Sequence, residues 1–202
     1  MNKIYIFIVL AVIVLGSYFL FFQSKEEAPI DSNALTPPET NMTVIMKTNL
    51  GEISLELFND KAPKTVENFI KLSESGFYDG VKFHRVIKGF MIQSGDPLTK
   101  DDSQKNAWGT GGPGFTFPDE IYAENRNVAG TISMANAGPD TNGSQFFINT
   151  ADNNSLDTKH TVFGKVTAGM DVVTNIENVP TEGPDRPIQD VIIEKIELNP
   201  RL

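Results

Sequence analysis

Residues 83–97 of the chain read FHRVIKGFMIQSGDP and contain two short apolar runs. Phe83–Ile87 and Met91–Ser94 carry the β-branched and aromatic residues that are enriched in strands. They are separated by Lys88-Gly89-Phe90, and the glycine suits a change of chain direction. This stretch therefore predicts two short strands, and it sets the pattern for the chain on either side of it.

The same strand signals continue in both directions from this stretch. Residues 43–48 form an apolar run, Asn49-Leu50-Gly51 suits a turn, and the alternation of Ile53, Leu55 and Leu57 with polar residues indicates a half-buried strand that returns as a hairpin. Four further segments have the length and composition of short strands: Val128–Met134, Gln145–Thr150, Thr161–Val166 and Val191–Leu198. The chain is therefore predicted to be mainly β.

Two helices interrupt the predicted strands. Pro63 suits the first turn of one helix, Val66, Phe69 and Ile70 form its apolar stripe, and Gly76 suits its end. The second is predicted over residues 169–178, where apolar residues recur three apart. Many strands, two helices and frequent glycines favour a closed antiparallel barrel whose ends are covered by the helices.

The N-terminus differs from the rest of the chain. Residues 4–22 carry no charge and consist mostly of Ile, Val, Leu and Phe. As a helix they would span about 28 Å, close to the hydrocarbon thickness of a bilayer. We therefore expect a transmembrane anchor (or uncleaved signal) at residues 1–22, a polar Pro-containing linker at 23–42 and a folded domain at 43–199; a cleavable signal peptide is the alternative.

The predicted anchor makes the membrane a partner through residues 4–22. The distribution of Lys3 and Lys25 around the apolar run favours a cytoplasmic N-terminus. The domain is then expected outside the cytoplasm, at the cell surface or in the periplasm.

Composition excludes several classes of function. The formal net charge is −9 and no basic cluster is present, which argues against nucleic acid as a partner. The chain has no cysteine, so disulfides, thiolate nucleophiles and thiolate metal ligands are all excluded. His84 and His160 are the only histidines, which makes a zinc site improbable, and no metal or cofactor is expected. Nothing in the sequence indicates more than a monomer.

Four stretches together resemble the cyclophilin family of peptidyl-prolyl isomerases. They are residues 83–97, residues 133–148 (SMANAGPDTNGSQFFI), residues 156–164 (LDTKHTVFG) and the glycine loop 109–114 (GTGGPG). The lead-in at 98–108 resembles that of prokaryotic members. The likeness covers residues 43–199 in the order of the family. It implies a closed eight-stranded barrel capped by two helices, and an enzyme that isomerises X-Pro bonds in proline-containing segments of client proteins to assist their folding.

The resemblance also implies which residues form the site. Arg85 corresponds to the catalytic residue, and its permanently charged, planar set of donors suits the twisted amide of the reaction. An apolar slot for the proline ring is implied at Phe90, Met91, Phe147, Leu156 and His160. Backbone-binding positions in the groove are implied at Gln93, Ala135, Asn136 and Gln145. Thr110 and Gly111 are expected to border an adjoining pocket.

One position departs from the family pattern. Many members carry Trp immediately before the residue that matches Leu156, whereas this chain has Ser155. In the family that Trp strengthens binding of the inhibitor cyclosporin, so we expect weak cyclosporin sensitivity with isomerase activity retained. The alternative function is a proline-peptide binding module or holding chaperone of the same fold that does not catalyse.

Overall fold

The computed structural model describes residues 42–199. The strands are β1 (Met42–Thr48), β2 (Gly51–Leu57), β3 (Arg85–Ile87), β4 (Met91–Ser94), β5 (Thr131–Met134), β6 (Phe146–Asn149), β7 (Val162–Ala168), β8 (Thr181–Glu182), β9 (Arg186–Pro187) and β10 (Ile193–Asn199). The α-helices are α1 (Pro63–Glu74) and α2 (Met170–Glu177). Three short 3₁₀-helices cover Pro97–Lys100, Asp102–Ala107 and Asn154–Leu156.

The first hairpin forms as its alternating sequence predicts. Val44 and Met46 of β1 lie opposite Leu55 and Ile53 of β2, and all four side chains are buried. Gly51 closes the turn with φ of 134°, a backbone conformation that residues with a side chain rarely adopt. The hairpin therefore contributes one apolar face to the core.

Helix α1 begins at the predicted proline but is capped by a distant residue. Ala62 precedes it and has no side chain able to cap. The carboxylate of Glu120 instead accepts hydrogen bonds from the backbone N–H groups of Lys64 (3.2 Å) and Thr65 (2.8 Å). A negative group at this end also complements the helix dipole. At the other end Gly76 adopts φ of 71° and ends the helix, as predicted.

The core lies between the sheet and the helices. Phe69 of α1 packs against the rings of Tyr78, Phe146 and Phe163, with centroids 5.2–5.5 Å apart. Helix α2 buries Val173 and Ile176 in the same cluster. These aromatic contacts connect α1 to the strands that also carry the site.

The main sheet has eight antiparallel strands in the order β10-β1-β2-β7-β5-β6-β4-β3. The predicted closed barrel is wrong, because β3 and β10 end the sheet without forming a ladder together. The segment before β3 pairs briefly with the start of β10: Lys82 forms an isolated bridge with Ile192, and backbone hydrogen bonds join Ile193 N to Val81 O (2.8 Å) and Phe83 N to Val191 O (2.9 Å). The pairing goes no further along β3, and the backbone N–H of Lys82, which points away from Ile192, donates to the hydroxyl of Thr99 at 2.9 Å. The sheet is a half-barrel.

Two predicted strands are shorter than expected. The strand expected at 83–87 begins only at Arg85, and the strand expected at 128–134 begins at Thr131. In the second case Gly130, with φ of 85°, and a hydrogen bond from Thr131 N to Val128 O (3.0 Å) form a turn before the strand. The two-stranded sheet of β8 and β9 was not predicted.

The described residues do not include most of the predicted N-terminal elements. The predicted anchor at 1–22 lies outside them, and so does the linker at 23–42 except for Met42, which begins β1. Between residues 42 and 199 there is no helix of sufficient length and apolarity to cross a bilayer. The predicted membrane-anchored, extracytoplasmic localisation is therefore corrected on this finding, and no location is assigned to the domain.

Candidate active site

Three side chains form a row across the outer face of β3, β4 and β6. Arg85 lies opposite Gln93 where β3 pairs with β4, and Gln93 lies opposite Phe147 where β4 pairs with β6. Val86 and Ile148, their neighbours along the strands, belong to the core on the inner face. Because successive side chains point to opposite faces of a strand, the row of Arg85, Gln93 and Phe147 faces away from the core.

An apolar surface lies at the Phe147 end of this row. Met91 and Phe147 are only 2% and 4% exposed, yet neither belongs to the core cluster. The ring of His160 packs edge-on against Phe147, with centroids 5.4 Å apart and planes 81° apart. Nδ1 of His160 lies 2.9 Å from the carbonyl oxygen of Met134, which fixes the orientation of the imidazole. Periodicity alone would assign Met91 and Phe147 to the core, whereas the strand register assigns them to the outer face.

The other two apolar residues expected here, Phe90 and Leu156, are half-buried and are connected through Asn153. Nδ2 of Asn153 donates to the carbonyl oxygen of Phe90 at 2.7 Å. The carbonyl oxygen of Asn153 accepts from the backbone N–H of Leu156 at 2.9 Å, and that of Leu156 accepts from His160 at 3.1 Å. These contacts hold the segment that carries Leu156 and His160 against the turn that precedes β4.

A chain of amide hydrogen bonds forms the polar part of the site. Nε2 of Gln145 donates to the backbone carbonyl oxygens of Gly109 (3.0 Å) and Gly111 (2.8 Å). Because both partners are acceptors, the orientation of the Gln145 amide is determined, and its Oε1 accepts from Nε2 of Gln93 at 2.9 Å. The amide of Gln93 is thereby oriented as well, with its oxygen left as an acceptor beside Arg85.

A pocket of about 800 Å³ adjoins this chain of amides. Six of the expected site residues line it: Gln93, Thr110, Gly111, Ala135, Asn136 and Gln145. Nδ2 of Asn136 donates to the carbonyl oxygen of Lys159 at 2.8 Å, which ties the pocket wall to the segment that ends in His160. The expected site residues thus form two adjoining groups, a polar pocket and an apolar surface, and Gln93 belongs both to the pocket and to the row that reaches Arg85 and Phe147.

A buried carboxylate beneath the glycine loop was missed by the sequence analysis. Asp96 is fully buried and accepts hydrogen bonds from the backbone N–H groups of Gly109, Gly111 and Leu98. A Cβ atom at Gly111 would overlap Oδ1 of Asp96 and lie 2.8 Å from Cγ of Leu98. The only sequence signal for this role is an acidic residue between Gly95 and Pro97, directly after a strand.

His84 lies next to this carboxylate and immediately precedes Arg85. It is 7% exposed, and within residues 42–199 neither ring nitrogen has a hydrogen-bond partner. Burial lowers the pKa of His84 to about 4, although the charge of Asp96 opposes the shift. The imidazole is therefore neutral at pH 7 and adds no second positive charge beside Arg85.

The guanidinium of Arg85 is partly exposed and has an acidic neighbour. The side chain is 45% exposed, and its Nε lies 3.8 Å from Oδ2 of Asp185, which precedes β9. Arginine stays protonated at any working pH and offers five donors in one plane. The site therefore combines a permanently charged donor set, an oriented amide and a buried apolar surface on one face of the sheet.

Comparison with known proteins agrees with this geometry. Residues 43–198 match the family model described as cyclophilin type peptidyl-prolyl cis-trans isomerase/CLD. Peptidyl-prolyl cis-trans isomerase CYP71 of Arabidopsis thaliana is 53% identical over 151 residues, which are 74% of this chain and 23% of that protein. Isomerase CYP18-2 of the same plant is 44% identical over 159 residues, 78% of this chain and 92% of its own length. The chain spans only about a quarter of the length of CYP71 and of several other relatives.

A solved structure of similar fold comes from Cryptosporidium parvum. The crystal structure of a cyclophilin type peptidyl-prolyl cis-trans isomerase from that organism has a TM-score of 0.73 and 38% identity, and the match covers 80% of this chain and 99% of that one. The relatives named here come from eukaryotes, so the expected likeness to prokaryotic members finds no support among them. Nevertheless the matched residues include every expected site position, and this chain belongs to the cyclophilin type peptidyl-prolyl cis-trans isomerase family.

Proposed function

We propose that this domain catalyses cis–trans isomerisation of X-Pro bonds in polypeptide segments that lie across the outer face of β3, β4 and β6. The observation that carries the proposal is the row of Arg85, Gln93 and Phe147, which places a charged donor, an oriented amide and a buried ring on one face. Membership of the isomerase family supports the same reaction.

The reaction needs no nucleophile, metal or cofactor because no covalent bond breaks. Resonance in the amide opposes rotation by about 18–20 kcal/mol, so uncatalysed isomerisation takes tens of seconds or more. In the twisted amide the prolyl nitrogen regains its lone pair. A donor held at that position stabilises the twisted state more than either planar isomer, which is the requirement for catalysis. Arg85 is the catalytic residue in this proposal.

The apolar surface holds the proline ring while the flanking residue rotates. Its proposed members are the residues of the apolar surface at the Phe147 end of the row: Phe90, Met91, Phe147, Leu156 and His160. Met91 and Phe147 are nearly inaccessible to water, and the imidazole of His160 is fixed by its contact with Met134, so the surface is already formed before a substrate arrives. A structure of the Cryptosporidium parvum relative was determined in the presence of the dipeptide Ala-Pro, which supports a proline-containing ligand here.

The polar groups beside this surface bind the backbone of the segment. The proposed members are Gln93, Ala135, Asn136 and Gln145, with Thr110 and Gly111 at the border of the adjoining pocket. The side-chain nitrogens of Gln145 and Asn136 already donate to protein carbonyls, so these two residues shape the groove. The oxygen of Gln93 remains as an acceptor for a substrate N–H group.

A single copy of the domain is sufficient for this chemistry. Arg85, the apolar surface and the pocket all come from one chain. We therefore propose a monomer that acts on proline-containing segments of client proteins and assists their folding.

Comparison of Arg85→Ala with Lys88→Ala tests the proposal, because both variants remove one exposed positive charge from the same hairpin. Isomerisation of a proline peptide and its binding affinity are measured for both variants and for the native domain. We expect kcat/KM to fall about 10²- to 10³-fold in Arg85→Ala, equivalent to about 3–4 kcal/mol, and to stay unchanged in Lys88→Ala. A native domain that binds the peptide without accelerating its isomerisation would instead establish the non-catalytic binding module.

A further inference from the structure

The edge of the sheet next to Arg85 is covered by a turn. β3 is the last strand of the sheet, so its outer edge has no strand partner. The backbone N–H of Val86 donates instead to the carbonyl oxygen of Asp185, 2.7 Å away. Asp185 lies in the turn between β8 and β9, and this bond places it beside the residue that precedes Val86, which is Arg85.

The turn is also held from its other side. The guanidinium of Arg186, which follows Asp185, lies 5.3 Å from the ring centre of Trp108, and its Nη2 donates to the carbonyl oxygen of Lys105 at 3.4 Å. The position of Asp185 is therefore determined by contacts with two separate parts of the chain.

Asp185 has a backbone conformation that favours glycine. Its φ is 65°, in the left-handed region, and it is one of two non-glycine residues within 42–199 with positive φ. The turn Gly183-Pro184-Asp185 thus keeps a carboxylate where glycine would be less strained. An unfavourable conformation at a site edge points to a role for the side chain.

The carboxylate contacts one particular side of the Arg85 guanidinium. Oδ2 of Asp185 lies 3.8 Å from Nε of Arg85, so the carboxylate approaches the guanidinium from its Nε side. Both side chains are 45% exposed, so the ion pair is screened by water and adds little to folding stability.

We propose that Asp185 is a positioning residue that holds Arg85 by its Nε side, so that the terminal nitrogens of Arg85 meet the twisting amide. This inference rests on the proposed isomerase function. It predicts that the Asp185 carboxylate matters to turnover only when Arg85 is present, and that it has little influence on peptide affinity.

The test compares two variants of Asp185 with a variant of Glu182, another carboxylate on the same hairpin. Asp185→Asn removes the charge and tolerates positive φ, Asp185→Gly removes the side chain and relieves the backbone, and Glu182→Gln is the control. We expect kcat/KM to fall about 3- to 10-fold in both Asp185 variants through kcat, with peptide Kd unchanged, and to stay unchanged in Glu182→Gln. In an Arg85→Ala background, Asp185→Asn should have no further effect.

Two results would overturn the inference while leaving the proposed function intact. One is a native rate in Asp185→Gly, which would make Asp185 a turn residue only. The other is an equal loss with and without Arg85. The NMR signal of the Arg85 Nε–H group gives a readout that does not require activity: it should shift in Asp185→Asn and not in Glu182→Gln. An unshifted signal refutes the contact even in an inactive domain, whereas an inactive native domain refutes the proposed function.

Discussion

A single methyl group at Gly111 should disturb both the stability and the activity of this domain. The backbone of Gly111 donates to the buried carboxylate of Asp96 and its carbonyl oxygen accepts from Gln145. Its backbone conformation is ordinary, but a Cβ atom would overlap Oδ1 of Asp96 and lie 2.8 Å from Cγ of Leu98. Asp96 cannot retreat easily, because it is fully buried and also bonded to Gly109 and Leu98.

The neighbouring glycine provides a matched control. A Cβ atom at Gly112 would have no atom within 4 Å, and Gly112 is exposed. Overpacking of a buried site typically costs about 1–3 kcal/mol, so we expect Gly111→Ala to lose that much unfolding free energy, or about 2–10 °C in Tm. For Gly112→Ala we expect the unfolding free energy to stay the same or to rise by about 0.5 kcal/mol, since alanine restricts the unfolded chain. Urea unfolding of both variants measures the difference.

The isomerase assay adds a second readout. Displacement of the Gly111 carbonyl weakens one hydrogen bond to Gln145 and through it the orientation of Gln93. A hydrogen bond of this kind contributes about 1 kcal/mol, so kcat/KM should fall about 5-fold in Gly111→Ala and stay unchanged in Gly112→Ala. Equal stability and equal activity of the two variants would refute the reasoning, because it would mean that Asp96 does not support the loop.

Three other predictions concern the surroundings of the site. The pKa of His84 is about 4 in the folded domain and 6.5 in the unfolded chain. The unfolding free energy should therefore fall by about 3 kcal/mol through this residue as the pH drops from 6.5 to 4. Urea unfolding of His84→Gln over the same pH range should show a correspondingly smaller fall. Asn125 is fully buried, and its Nδ2 donates to the carbonyl oxygen of His160 at 3.0 Å. Asn125→Ala should therefore lose about 2–3 kcal/mol of unfolding free energy. The control Glu124→Ala, at an exposed position, should change it by less than about 0.5 kcal/mol. Ser155→Trp should lower the inhibition constant for cyclosporin at least about 10-fold without loss of turnover, and an unchanged constant would contradict the role assigned to this position.

The sequence predicted those parts of the fold whose signals are local. The β1–β2 hairpin follows from strict alternation around a turn, and α1 follows from Pro63, an apolar stripe and Gly76. The β8–β9 hairpin has two residues in each strand, too few for any periodicity to show. Closure of the sheet was predicted wrongly because it depends on how far the pairing of residues 80–83 with 191–193 continues along β3, and the sequence does not reveal where that pairing ends.

The same distinction applies to the candidate site. The motif resemblance grouped Arg85 with Met91 and Phe147, and the strand register brings these residues to one face of the sheet; an alternating pattern alone cannot tell which face of a strand is the core. Asp96 and Asp185 were missed because each acts on residues far away along the chain. Acidic residues next to glycine or proline are common in turns. Their presence alone therefore does not distinguish a carboxylate that supports the site from one in an ordinary loop.

The open edge of the sheet and the proposed chemistry are connected. An unpaired edge strand normally invites pairing with another chain, and proteins cover such edges with loops or short turns. Here the covering element is the turn that carries Asp185, and it bonds to β3 at Val86, directly after Arg85. Had β3 continued into a ladder with β10, that edge would be filled by a strand and the carboxylate could not reach Nε of Arg85. The half-barrel therefore leaves room for a separately anchored turn to orient the guanidinium, while the opposite edge of β3 fixes its register with Gln93.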